Sequence, residues 1–140
     1  MAAGLFASME TSFDDAIERT KAALAAQGFG VLTTIDIATT LKQKLGTEME
    51  RYVILGACNP GFARQSLDID RHLGQLLPCN VVVRDDPAAP GAQVLIEAMD
   101  PQLMVQFSEH ASDLSPVADE VSAKLRAALQ TLAATSTSVA

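Results

Sequence analysis

Two runs of consecutive apolar residues, Val81-Val82-Val83 and Val94-Leu95-Ile96, flank the polar stretch Asp85-Asp86-Pro87-Ala88-Ala89-Pro90-Gly91. Runs rich in β-branched residues are strand chemistry, and a short connection of Asp, Pro, Ala and Gly joins such runs as an antiparallel hairpin. A chain built around this hairpin, with strands over 79–84 and 93–99, has to bury a sheet. Because successive positions are apolar, both faces of that sheet need cover.

The rest of the chain supplies helices and further strands. Ser12 and Asp15 form a capping pair, Asp14 and Asp15 lie at the positive end of the helix dipole, and Phe13, Ala16, Ile17, Thr20 and Leu24 keep helical spacing up to Gly28. Residues 4–9 and the alternating segment Val31 to Asp36 make this helix the middle of a β-α-β unit. Ile37, Leu41 and Leu45 mark a shorter helix closed by Gly46, and residues 51–57 read as a buried strand. Asn59-Pro60-Gly61 opens a helix that turns Phe62, Ala63, Leu67 and Ile69 toward the core, and Leu73 to Leu77 is an apolar turn before Pro78. Pro101 starts a short helix. Ser115-Pro116 starts a longer one, along which Leu114, Val117, Val121, Leu125, Ala128 and Leu132 keep period. Five strands and these helices predict an α+β fold, a mainly antiparallel sheet with helices on one face. A homodimer packing sheet against sheet is the simplest cover for the other face.

At 140 residues the chain fits one domain, over 1–132, with 133–140 as a frayed tail. A hydrophobic fraction of 49% with 19% charged residues excludes intrinsic disorder, and charge interrupts every stretch long enough for a membrane span. The net charge of −7 opposes phosphate neutralisation, so nucleic acid is not an expected partner. The N-terminus has no basic region followed by an apolar core, which predicts a cytoplasmic protein whose two cysteines are thiols.

Two segments echo one another, Gly56-Ala57-Cys58-Asn59-Pro60 and Leu77-Pro78-Cys79-Asn80-Val81. The first leaves a strand and the second enters one. If the two ends share a sheet edge, Cys58, Asn59, Cys79 and Asn80 converge, with soft sulfurs to bind a small ligand, hold a thiophilic metal or attack an electrophilic sulfur, and amides to orient what is bound. His72 lies between the cysteines in sequence, so a set of Cys58, Cys79 and His72 fits zinc or copper. Packing alone also accounts for cysteines beside core strands, and their spacing lacks C-x-x-C character. His110 after Glu109 reads as a cation favouring the end of a short helix. The chain contains no G-x-S-x-G, H-E-x-x-H, Walker or G-x-G-x-x-G motif.

The residues Ser12-Phe13, Gly28-Phe29-Gly30-Val31-Leu32-Thr33, Ile35-Asp36, Leu41-Lys42 with Leu45-Gly46, Ile54-Leu55-Gly56-Ala57-Cys58-Asn59-Pro60, Leu76-Leu77-Pro78-Cys79-Asn80-Val81-Val82-Val83 and Asp100-Pro101 resemble the bacterial and archaeal family called domain of unknown function 302. The resemblance covers about residues 4–132. It implies a fold similar to the TATA-box-binding protein, β-α-β-β-β-β-α in outline, commonly as a dimer, and brings no activity with it. Three readings are open. The leading one is a dimeric binding module with a small-ligand or soft-metal site at the two Cys-Asn motifs. The alternatives are a thiol or sulfur-chemistry enzyme using Cys58 and Cys79, in redox or sulfur transfer, and a structural or interaction protein with no site.

Overall fold

A computed structural model describes residues 5–89 and 91–136. The elements in chain order are β1 (Phe6–Met9), α1 (Phe13–Ala26), β2 (Gly30–Asp36), α2 (Ile37–Leu45), β3 (Tyr52–Cys58), α3 (Pro60–Ile69), a 3-10 helix (Arg71–Leu76), β4 (Cys79–Asp85), β5 (Val94–Ala98), α4 (Gln102–Phe107) and α5 (Ala111–Ser136). The expected α+β architecture is present, as one antiparallel sheet of order β1-β5-β4-β3-β2. Strands β2 to β5 form a meander, and β1 joins its far side by pairing Phe6 with Glu97 and Met9 with Val94. The two strands of the expected β-α-β unit therefore run parallel at opposite edges of the sheet, and α1 spans the width between them.

Local chemistry explains the helix limits. Ser12 Oγ accepts from the Asp15 amide at 3.2 Å, and Gly28 closes α1 at φ +87°, a left-handed conformation that favours glycine. Asp36 caps α2 by accepting from the Thr39 amide at 2.9 Å, and Gly46 ends that helix at φ +70°. In the hairpin, Asp85 still pairs with Val94, so the connection is residues 86–93 and is turned by Asp86, whose carboxylate accepts from the Ala88 amide.

Strand alternation places Val53, Leu55 and Ala57 of β3, Val81 and Val83 of β4, and Val94, Ile96 and Ala98 of β5 on one buried face. Helices α1 and α5 cover it with Phe13, Ala16, Leu24, Val121, Leu125, Ala128, Leu129 and Leu132. At the far end of β3 and β4, Arg51 makes a two-point ion pair with buried Asp85 at 2.8 and 3.1 Å while its guanidinium lies 4.7 Å from the centroid of the Phe13 ring. That contact fixes the start of α1 against the sheet.

Four sequence expectations need correction. Helix α5 begins at Ala111, four residues before Ser115, because the His110 carbonyl accepts from the Leu114 amide; Pro116 sits inside the helix. The same bond places His110 at the N-terminal end of α5, where the dipole does not favour a cation, so the role expected for it fails. The helix also runs to Ser136, so residues 133–136 of the expected frayed tail are helical, and 137–140 lie outside the described residues. On α3 the fully buried position is Ser66, while Leu67 is only half-buried.

The opposite sheet face carries the register row Ile35, Ile54, Val82, Glu97 and Phe6, with Arg84 and Leu95 in the next row. Arg84 and Glu97 form an ion pair at 2.8 Å within it. Ile35 and Phe6 are exposed, and in β2 a register shift between Val31 and Thr33 leaves Leu32 bulged into solvent. No residue of α2 is buried, although Ile37, Leu41 and Leu45 line up on one side of it.

Candidate functional site

The antiparallel pairing of β3 with β4 puts the C-terminal end of one beside the N-terminal end of the other, with Ala57 directly opposite Cys79. Cys58 is the last residue of β3 and Cys79 the first of β4. The sequence changes abruptly here because Asn59-Pro60 stops the ladder. Asn59 becomes the N-cap of α3, its Oδ1 accepting from the Phe62 amide at 3.2 Å, and Pro60 occupies the first helical turn, where its missing N–H costs nothing. The C-terminal end of α1 abuts the same group, since a Cβ at Gly28 would lie 2.9 Å from Asn59 Nδ2.

These ends frame an open-mouthed cleft of about 310 Å³, a volume that includes solvent at its mouth. Both cysteines and Asn59 line it. Apolar walls come from Phe29, Phe62, Leu77 and Val121, and Ser66 and Met104 complete the polar and sulfur-bearing lining. Among the described residues that line it there is no Lys, Arg, His, Asp or Glu.

The two thiols differ. Cys79 is buried while Cys58 is half-buried, and both are free. Burial in the first place, and the adjacent Cys58 in the second, push the Cys79 thiol up to about 11. It is therefore protonated at neutral pH and a weak nucleophile.

The structure separates the rest of the expected set. Asn80 is exposed and sits opposite Gly56 in register, whereas Cys79 lies opposite Ala57; strand alternation turns Asn80 to the other face, and it does not line the cleft. His72 is exposed on the 3-10 helix and is likewise absent from the lining, so the set Cys58, Cys79 and His72 does not assemble. Among the described residues no three His, Cys, Asp or Glu side chains form a group able to hold a metal ion. The role that His72 does have is local: its backbone N–H donates to Asp70 Oδ1 at 2.9 Å. Asp70 Oδ2 also accepts from the Ser108 hydroxyl at 2.5 Å, tying the start of the 3-10 helix to the end of α4. The Ser108 hydroxyl first, and the His72 amide second, hold this carboxyl below the ordinary carboxylate range.

Ser66 and Met104 escaped the sequence reading. Ser66 is four residues after Phe62, a spacing that could have placed it on the same face, but its polarity made Leu67 the stronger candidate. Met104 lies in a different helix and had no sequence signal linking it to the cysteines.

The comparison with family models matches residues 6–132 to the domain of unknown function DUF302. The chain belongs to the DUF302 family. A crystal structure of an uncharacterized conserved DUF302 protein from Bacillus stearothermophilus superimposes with a TM-score of 0.79 at 26% sequence identity, covering 91% of this chain and 95% of the other. No curated protein matches the chain. The matched DUF302 region contains every residue lining the cleft. No helix among the described residues is long and apolar enough to cross a membrane.

Proposed function

We propose that this DUF302 chain is a dimeric binding module that takes a small ligand in the cleft between the β3–β4 ends and helices α3, α4 and α5, through the thiols of Cys58 and Cys79. The observation carrying this reading is that two cysteines from separate strands line one cleft with Asn59, whose side chain caps α3. Binding is favoured over thiol catalysis because the lining supplies no base or cation to activate Cys58, and Cys79 is held neutral.

Arsenous acid, As(OH)3, tests the joint site. Two thiols within reach of one arsenic form two As–S bonds and release two waters, with the third hydroxyl retained. Native mass spectrometry is expected to show one arsenic per chain, lost in both Cys58→Ser and Cys79→Ser. A native protein that takes up no arsenic, while the unfolded chain does, would remove the reading.

The second copy of the dimer is supported by the uncovered face. An edge strand exposing Leu32 and Ile35, beside a helix with Leu45 68% exposed and nothing buried, leaves a large apolar surface facing water. Sedimentation equilibrium at micromolar concentration is expected to give twice the 14.8 kDa chain mass. A single-chain mass would count directly against the dimer.

A further inference from the structure

We propose that the ligand of this cleft is a monovalent soft metal ion, copper(I), held by three sulfurs: the thiolates of Cys58 and Cys79 and the thioether of Met104. The inference rests on the binding reading above and adds a ligand class and a third binding residue to it. Cys58, Cys79 and Met104 line one cleft from three elements, the end of β3, the start of β4, and α4. Thiolate and thioether donors select copper(I), whereas zinc takes four ligands drawn from Cys, His and carboxylate, a set the described residues do not gather. Size points the same way. The cleft volume counts open solvent, so its enclosed part falls below the roughly 300–1,000 Å³ of pockets that bury a drug-sized molecule.

Loading balances without redox change. Two S–H bonds break, two Cu–S bonds form, two protons leave to solvent, and Met104 contributes a lone pair with no proton to lose. The product carries one negative charge. Helix α3, ten residues long, begins immediately after Cys58 and Asn59, so its positive end adjoins that charge. Phe29, Phe62 and Val121 wall the cleft with apolar surface and limit solvent access to the bound ion.

The test is anaerobic titration of the full chain with copper(I), supplied as its acetonitrile complex in competition with bicinchoninate. One ion per chain is expected, with a first shell of three sulfurs by X-ray absorption. Met104→Leu, which nearly conserves side-chain volume, is expected to weaken copper binding by at least about tenfold and to leave two sulfurs in the shell, with arsenic uptake unchanged. No copper retained against bicinchoninate while arsenous acid still binds both thiols would overturn the copper inference and leave the cleft reading standing. A two-sulfur shell in the unaltered protein, readable whether or not the leucine variant folds, would overturn the role of Met104. Loss of both copper and arsenic uptake would remove the two readings together.

Discussion

Gly56→Val is expected to destabilise the domain by about 3 kcal/mol or more, at the upper end of overpacking costs, as a lower urea midpoint at unchanged slope. Gly56 is buried in β3, and a Cβ at this position would overlap Thr33 Oγ1 and stand 3.0 Å from Pro78 Cγ. Thr33 is its register partner across β2, and Pro78 immediately precedes β4. The side chains of Thr33 and Pro78 therefore close over a position that has room only for hydrogen. Gly56→Ala is expected to cost less, about 1–3 kcal/mol, because the Thr33 hydroxyl can rotate away while the proline ring has to shift. Thr33→Ala in the Gly56→Ala background isolates the two contributions. Recovery of about 0.5 kcal/mol or more, relative to the sum of the single changes, is the coupling expected for residues in contact.

Leu55→Ala carries the other large effect, about 2–5 kcal/mol of unfolding free energy. Leu55 is fully buried on β3, pairs across to Val81, and belongs to the cluster that α1 and α5 close over. Removing three carbons there leaves a void that a sheet held between paired strands cannot collapse to fill. Leu45→Ala is the matched control, since its side chain is exposed on α2 and its loss is expected to stay within about 0.5 kcal/mol for a single chain. In a dimer covering that helix, the Leu45 effect would instead depend on protein concentration.

The elements with strong local chemistry were legible in the sequence. The Val81 and Val94 runs marked the β4–β5 pair, Ser12 and Gly28 bounded α1, and Gly46 ended α2 in the conformation that its lack of a Cβ allows. Helix limits set by a backbone bond alone were not. No side chain announces the bond to the His110 carbonyl that starts α5 ahead of Pro116. The candidate site divided in the same manner. One motif leaves a strand and the other enters one, which is enough to bring Cys58 and Cys79 to the same end of the neighbouring strands β3 and β4. Whether the asparagines accompany them depends on strand alternation and on the element into which each cysteine leads. Asn59 turns into a helix cap beside the cleft, whereas Asn80 continues a strand and is carried to the opposite face. Met104 reaches the cleft through tertiary packing in the small cluster with Leu73 and Leu114, and no periodicity within one element encodes such a meeting.

The placement of β1 beside β5 has a consequence for how the chain is made. Strands β2 to β5 pair with their neighbours in sequence and can add to the sheet in the order they leave the ribosome, but β1 has no partner until β5 has been synthesised. Helix α5, packed on both β1 and α1, comes later still. The first of these five strands in sequence is thus among the last to be sealed, and its apolar residues Ala7 and Met9, buried in the finished fold, wait for β5 and α5 to be translated. A nascent chain stalled before Val94 would hold an incomplete sheet with an unpaired edge, the species most exposed to chaperone capture.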